Sequence, residues 1–206
     1  QLLNETFAKK ASLLDANQQA IRLGYDWTRE NLAAPLPFTA KTTNKTDDHI
    51  IIDGNTAEGL GAVYAGATVG AWYPITPPTS LIDGFKRSCE MTRKDPETGE
   101  NNYCIVQAED ELAAIGMVLG ASWAGARAFT PTSGPGVSLM GEFLGYGYFT
   151  EIPAVLLNVQ RCGPSTGMPT RTQQSDITSC AFASHGDTRH VLLFPANPEE
   201  CFYTAR

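Results

Sequence analysis

The sequence predicts an α/β fold: an open, mostly parallel sheet with helices on both faces, preceded by an N-terminal helix and a linker. Three observations carry this. From residue 49 onward, apolar runs of strand length alternate with stretches of helix length, the order from which strand–helix–strand units are built. The connections are rich in turn formers, with nineteen glycines and thirteen prolines available for tight turns and close contacts between elements. Finally, Val106 to Met140 reads as one complete unit: Val106-Gln107-Ala108-Glu109-Asp110-Glu111, a small-residue helix to Gly125, the apolar Ala126-Arg127-Ala128-Phe129-Thr130, then Thr132-Ser133-Gly134-Pro135-Gly136.

In chain order, residues 4–30 have helical periodicity, with Phe7, Leu14, Ile21 and Tyr25 recurring on one face. From 31 to 48 the pattern gives way to Pro35, Pro37 and the polar Thr42-Thr43-Asn44-Lys45-Thr46-Asp47-Asp48, a linker by composition. Residues 1–48 are therefore expected to be a helix and linker at the end of an upstream region, and 49–206 the domain proper. A chain that begins at Gln1 and stops at Arg206, inside a predicted helix, is expected to be a piece of a longer polypeptide. His49–Asp53 reads as a short strand and 57–67 as a helix. There, Gly59-Leu60-Gly61-Ala62-Val63-Tyr64 starts like a dinucleotide fingerprint. Tyr64 occupies the third glycine's place, however, and the glycines lie inside the helix, so close helix–sheet packing explains them better.

Val69–Tyr73 is the next strand. It runs into Tyr73-Pro74-Ile75-Thr76-Pro77-Pro78, where prolines fix φ and keep the segment stiff before a helix over 80–93. A polar loop over 95–102 leads to a strand at Tyr103–Gln107. The central helix has a face of Ala113, Gly116, Gly120 and Ala124. The helix after Gly136 carries Leu139, Met140, Phe143, Leu144 and Tyr146, a spacing of core or subunit contact, with Glu142 at the surface or an interface. Ile152–Val159 is the strand that reads as most buried. The loop over 163–176 is expected to cover the sheet edge. A helix over 175–184, a strand at His190–Phe194 and a helix from Asn197 complete the chain.

Bulk properties exclude several classes. A net charge of -7 with no cluster of Lys and Arg argues against nucleic-acid binding. Five scattered cysteines (Cys89, Cys104, Cys162, Cys180, Cys201) include no Cys-x-x-Cys pair, so no zinc or iron–sulfur site is expected on this chain, and a reducing, cytoplasmic setting fits them. No apolar run is long enough to span a membrane. His49, His185 and His190 lack metal-ligand spacing.

Candidate site residues lie where strands end. Acids in a first helical turn are favoured by the unpaired N–H groups there, which suffices for Glu109 and Asp110. Glu111 differs by its place in Glu111-x-x-Ala114-x-Gly116-x-x-x-Gly120-Ala121. Thr76 either belongs to a stiff turn or presents its hydroxyl beside the acids. Arg161 follows a predicted buried strand, where a lone cation is costly; either an acid balances it or it awaits an anionic ligand.

The Glu111 helix followed by Thr132-Ser133-Gly134-Pro135-Gly136 resembles the pyrimidine-binding domain of thiamine diphosphate enzymes. The Tyr73-Pro74-Ile75-Thr76-Pro77 run and the Gly163-Pro164-Ser165-Thr166-Gly167 loop narrow this. They look like the alpha subunit of 2-oxoacid:ferredoxin oxidoreductases, across about residues 50–200. The loop departs from the family in having Gln173-Gln174 where Glu-Gln is common. The resemblance implies that Glu111 is catalytic and hydrogen-bonds the cofactor's aminopyrimidine, that Pro74 and Ile75 also bind cofactor, and that Thr76 and Arg161 bind the substrate carboxylate or coenzyme A. It implies oxidative decarboxylation of a 2-oxoacid, 2-oxoglutarate before pyruvate, with coenzyme A as co-substrate and ferredoxin as acceptor.

Gly186-Asp187 is followed by Thr188, which does not complete a diphosphate-binding motif. By resemblance the Mg2+ site and a 4Fe–4S cluster belong to a beta subunit, in a heterodimer or a dimer of heterodimers. Three other readings compete. A nucleotide-binding dehydrogenase needs the fingerprint that is missing. A structural subunit of the same fold would not need Glu111. A serine hydrolase would need a Gly-x-Ser-x-Gly elbow, which is absent.

Overall fold

The computed structural model describes residues 2–7, 10–32, 38, 41, 43, 45–165 and 167–206. Ala8 and Lys9 of the expected first helix, Pro35, Pro37, Thr42 and Asn44 of the linker, and Thr166 of the 163–176 loop lie outside the described residues. The chain forms two compact units, 1–50 and 51–206. The first holds two helices where the periodicity predicted one, α1 (Leu2–Thr6) and α2 (Ala11–Asn31). They are tied by a 3.2 Å hydrogen bond from Gln18 Nε2 to Asn4 Oδ1. Of the predicted apolar face, Leu14 is half-buried whereas Ile21 and Tyr25 are exposed.

The second unit begins with a correction. His49–Asp53 is not a strand; Asp53 is the N-cap of α3 (Gly54–Tyr64). Its carboxylate accepts from the Thr56 N–H at 3.0 Å and from the Thr56 hydroxyl at 2.6 Å, so the chain turns into a helix before the isoleucines pair with anything. At the other end of α3, Arg93 Nη2 donates to the Val63 carbonyl at 2.8 Å and Arg127 Nη1 to that of Ala65. Two guanidinium groups thus serve carbonyls at the helix C-terminus, that of Val63 in addition to the Gly66 N–H at 3.0 Å.

The order continues with β1 (Val69–Trp72), α4 (Thr79–Thr92), β2 (Cys104–Gln107), α5 (Glu111–Trp123), β3 (Ala128–Thr132), α6 (Gly134–Phe149), β4 (Val155–Asn158), α7 (Ile177–Ala181) and α8 (Pro198–Ala205). The sheet order is β2-β1-β3-β4. All pairs are parallel, with Val69 opposite Cys104 and Ala128, and Thr132 opposite Asn158.

Alternation along the strands builds two cores. Ala71, Ala128 and Leu156 face Ala114, Ile115, Val118 and Met140 of α5 and α6. Trp72, Ile105, Phe129 and Leu157 face Leu81, Ile82 and Phe85 of α4 and Val63 of α3, with the Phe85 and Phe129 rings edge to face at 4.8 Å. The inward side of α5 is thus Ala114, Ile115, Val118 and Leu119, and the small-residue face of Ala113, Gly116, Gly120 and Ala124 is a different side of the helix. Gly116 instead leaves space for the Phe143 ring of α6, and nothing stands near Gly120.

The glycines of α3 also do something other than expected, since they permit helix–helix rather than helix–sheet contact. A Cβ at Gly59 would lie 2.5 Å from the Leu81 carbonyl oxygen and 2.7 Å from the Phe85 nitrogen of α4. One at Gly61 would collide with the Phe202 carbonyl of α8.

Three further expectations are corrected. Ile152–Val159 is not a buried strand but holds the outer strand β4, with Val155 52 % exposed. An apolar run identifies a strand but not its place in the sheet. His190–Phe194 forms no strand: Val191, Leu193 and Phe194 are exposed, and β4 pairs only with β3 among the described residues. The helix predicted over 175–184 is the shorter α7, ended by Phe182, with Ser184 at φ 79°.

Candidate active site

Parallel strands end at one edge of a sheet, and here the four carboxyl ends are followed by Thr76, Glu111, Ser133 and Arg161. From β1 the chain steps to β2 on one side and then returns across β1 to β3 on the other. The crevice between β1 and β3 is therefore a topological switch point, the place where open parallel sheets bind ligands.

The three acids separate by role. Glu109 is exposed, and Asp110 is the N-cap of α5, its Oδ1 accepting from the Ala113 N–H at 2.7 Å. Glu111 turns inward and is only 7 % exposed. It makes no salt bridge among the described residues. Burying a carboxylate without a cation is costly; its place in the first helical turn offsets part of that.

Gly136, at the start of α6, lets the backbone come up against this carboxylate. A Cβ there would stand 2.9 Å from Glu111 Cγ and 3.3 Å from Oε1, and would collide with the Thr132 hydroxyl. The hydroxyls of Thr130, Thr132 and Ser133 are buried with no hydrogen-bond partner in the structure. Thr130 and Thr132 alternate with Phe129 and so share the α5 face of the sheet with Ala128. Sequence reasoning passed over these hydroxyls, although two threonines at alternate positions of an apolar strand were the signal available.

A second cluster joins β1 to β4. Arg161, 5 % exposed, donates from Nη1 to the Thr76 carbonyl at 2.9 Å. Of the two readings left open for Arg161, this contact matches neither in full: a backbone oxygen takes part of its charge. Around it, Pro74 and Thr76 are exposed and Ile75 is half-buried, and the Thr76–Pro77 peptide is cis. Asn55, another residue that the sequence did not single out, donates to the Pro77 carbonyl at 3.2 Å and to Ser80 Oγ at 2.9 Å, pinning the segment to α3.

Beyond Arg161 the chain folds back on itself. The Cys162 N–H donates to the Arg171 carbonyl at 2.8 Å and the Met168 N–H to the Cys162 carbonyl at 3.3 Å. Gly167, at φ 51°, is so close to the Cys162 carbonyl that no Cβ would fit. The structure therefore puts Glu111 with Gly136 and Thr132, and Thr76 with Arg161, as two clusters on one edge.

Among the described residues no three His, Cys, Asp or Glu side chains gather to hold a metal. His190 meets the Ala183 carbonyl at 3.1 Å and His49 meets Asp48 at 2.8 Å. No helix of the described residues is long and apolar enough to cross a membrane. A cleft of about 430 Å3 lined by Ala67, Ala126, Arg127 and Pro153 lies at the opposite edge, where the strands begin.

Comparison with known proteins matches residues 60–206 to the family model for pyruvate flavodoxin/ferredoxin oxidoreductase, thiamine diphosphate-binding. The chain is similar to subunit alpha of 2-oxoacid:ferredoxin oxidoreductase 1 from Sulfurisphaera tokodaii, 38 % identical over 208 residues, which cover all of this chain and 32 % of that protein. It is also similar to the 2-oxoglutarate synthase subunit KorA of Methanothermobacter thermautotrophicus, 45 % identical over 160 residues, or 77 % of this chain and 40 % of that one. Among solved structures, 2-oxoglutarate:ferredoxin oxidoreductase from Magnetococcus marinus, with 2-oxoglutarate, coenzyme A and succinyl-CoA bound, superposes with a TM-score of 0.80 at 37 % identity. The match covers 98 % of this chain and 34 % of that one. The chain thus spans 32–40 % of the length of these relatives.

Proposed function

We propose a function for a chain that belongs to the pyruvate flavodoxin/ferredoxin oxidoreductase family, in its thiamine diphosphate-binding domain. The chain is part of the alpha subunit of a 2-oxoacid:ferredoxin oxidoreductase, and its sheet edge holds the pyrimidine half of thiamine diphosphate. The whole enzyme carries out coenzyme A-dependent oxidative decarboxylation of a 2-oxoacid, 2-oxoglutarate first, with ferredoxin as electron acceptor. Support for that substrate comes from relatives named for 2-oxoglutarate and a structural neighbour that binds it with coenzyme A. A beta subunit supplies the Mg2+ and iron–sulfur sites, in a heterodimer or a dimer of heterodimers in the cytoplasm.

The observation that carries this reading is Glu111: a buried carboxylate without a basic partner among the described residues, at the switch-point edge, beside Gly136 and the unpartnered Thr132 hydroxyl. Such a set fits the cofactor's pyrimidine, whose ring nitrogen and amino group can use the hydrogen-bonding capacity left open there. When bound, thiamine diphosphate supplies the stabilised carbanion that decarboxylation of a 2-oxoacid needs. With the cofactor bound, Glu111 would hold a proton between its carboxylate and the pyrimidine ring nitrogen, and its burial would strengthen that bond. Pro74 and Ile75 give the cofactor an apolar wall. Arg161 is fixed in place by the Thr76 carbonyl, so its guanidinium is preorganised for an anionic substrate group. The exposed Thr76 side chain contributes a hydroxyl at the same place.

The test uses the full-length alpha chain co-expressed with its beta partner. Activity is read as 2-oxoglutarate- and coenzyme A-dependent reduction of a viologen dye, with thiamine diphosphate and magnesium present. Native protein should reduce dye, and Glu111→Ala should assemble but lose nearly all of it. Equal activity of the two would make Glu111 a helix-start acid and remove the proposed site. A native complex inert toward every 2-oxoacid would favour a structural subunit.

A further inference from the structure

We infer that Asp176 is a positioning residue, which anchors the returning end of the segment after Arg161 and so sets the substrate side of the site. This rests on the function proposed above for Arg161. Four parts of the fold meet at Asp176, three of them at its carboxylate. Asn158 Nδ2, on the last residue of β4, and Gln160 Nε2, just beyond it, each reach Asp176 Oδ2 at 3.5 Å, and Ser175 Oγ donates to Oδ1 at 3.3 Å. The third part is α6: the carboxylate lies against Gly134, closely enough that a Cβ there would collide with Oδ2 and come within 2.8 Å of Oδ1. The fourth is α7, whose first backbone hydrogen bond runs from the Cys180 N–H to the Asp176 carbonyl at 2.8 Å.

The start of α6 explains why a carboxylate belongs there. Ser133 is its N-cap, yet the Ser133 side chain makes no capping bond and its hydroxyl has no partner. Asp176, distant in sequence, brings a negative charge to this sixteen-residue helix instead. Three glutamine- and asparagine-type or carboxylate side chains therefore converge where β4 ends, one residue before Arg161. The segment is held at its outgoing end by Arg161 on the Thr76 carbonyl and at its returning end by Asp176 on Gly134. Between them, Arg171 is exposed. Among the described residues the Asp176 carboxylate bonds to Asn158, Gln160 and Ser175 and not to Glu111 or Thr132, so it acts through the placement of Arg161 and its neighbours.

The experiment compares native, Asp176→Asn, Asp176→Ala and Gly134→Ala proteins, each as the full-length alpha–beta complex. Two readouts are taken: the rate of tryptic cleavage after Arg171 under native conditions, and the separate kcat and KM for 2-oxoglutarate. Removing a charge that a helix start holds should speed cleavage about fivefold in Asp176→Ala and raise KM by a similar factor, with kcat within about twofold of native. Gly134→Ala, which leaves Asp176 in the sequence but denies it its seat, should reproduce both changes. Asp176→Asn, which keeps the shape and loses the charge, should fall between. Cleavage and KM that stay native in both Asp176→Ala and Gly134→Ala overturn the proposal. So does a fall in kcat alone, since that would place Asp176 in the chemistry. If one variant fails to assemble, the others still decide. If the native complex turns over no 2-oxoacid, the functional reading fails while the cleavage rates still test the anchor.

Discussion

The two faces of the sheet are built to different standards. On one, α3 and α4 pack backbone against backbone at Gly59 and Gly84, and Leu81, Ile82, Phe85 and Phe129 fill the space behind them. On the other, α5 and α6 cover the sheet with smaller residues, and at its carboxyl edge lie Glu111 and the unpartnered hydroxyls of Thr130, Thr132 and Ser133. The outer sides of α5 and α6 keep Trp123 76 % and Phe149 87 % exposed. One face is filled largely by apolar packing; the other gathers buried polar groups at one edge, a cost that a bound ligand would offset. Arg93 Nε and Glu58 show that buried polarity also occurs on the first face; what marks the site is the gathering of such groups at the carboxyl edge of the sheet.

The largest effect that would sharpen this contrast lies at the site. Glu111→Gln keeps the shape and removes the carboxylate, and should lower kcat of the full complex by roughly 100-fold or more, the range for a lost proton-transfer group. Its affinity for thiamine diphosphate, read by calorimetry, should fall as well. A variant that kept both would erase the distinction between the faces.

On the first face, Gly59→Ala should destabilise the alpha chain by about 3 kcal/mol in urea unfolding. The new methyl meets the Leu81 carbonyl and the Phe85 amide, backbone atoms with no rotamer to yield. An unchanged midpoint would mean that α3 and α4 are not in backbone contact.

The same face predicts a pH dependence. Glu58 on α3 is half-buried, and loss of hydration raises its carboxyl from 4.5 to about 7. Between those values the unfolded chain releases this proton while the folded chain keeps it, so the group makes stability fall as pH rises from about 4.5 through about 7 and then level off. Cys201 of α8 stands near both Glu58 and Glu200. Glu58→Gln should flatten that part of the stability–pH curve; an unaltered slope would show that Glu58 ionises freely.

Smaller effects belong to the second face. Thr130→Val deletes an unpartnered buried hydroxyl at nearly constant volume. It should stabilise the chain by about 1 kcal/mol, the opposite sign to an ordinary core polar-to-apolar change that breaks a bond. Gly120→Ala, with nothing within 4 Å, should stabilise by about 0.5–1 kcal/mol through helix propensity alone. Set beside Gly59→Ala, the same substitution in two helices would then give effects of opposite sign.

How much of this was legible beforehand can be read from particular residues. Strand–helix alternation and turn residues located β1, β2, β3 and α4 to α6 within a few positions, because those signals act locally along the chain. Glu111 was separable from Glu109 and Asp110 by spacing, whereas Asp110 as the N-cap of α5, not an acid of its first turn, came only from the structure. The strand read at His49–Asp53 failed because propensity says what a segment tolerates, whereas pairing requires a neighbour; Asp53 capped a helix first. His190–Phe194 failed in the same way.

By itself, then, the sequence determined the fold class, the edge at which Glu111, Thr76 and Arg161 would stand, and the family resemblance of the Tyr73–Pro77 and Gly163–Gly167 runs. Only the tertiary structure decided that β2 and β4 are outer strands, that the α3 glycines serve α4 and α8, and that Thr76 and Arg161, 85 positions apart, share a hydrogen bond. It also decided that Glu111 faces Gly136 and Thr132 and that Asp176 sits on Gly134. The reason is one of range. Propensity, capping and periodicity are fixed by residues within a turn or two of each other. Burial, the loss of a hydrogen-bond partner and the approach of one backbone to another depend on segments that meet only when the chain has folded.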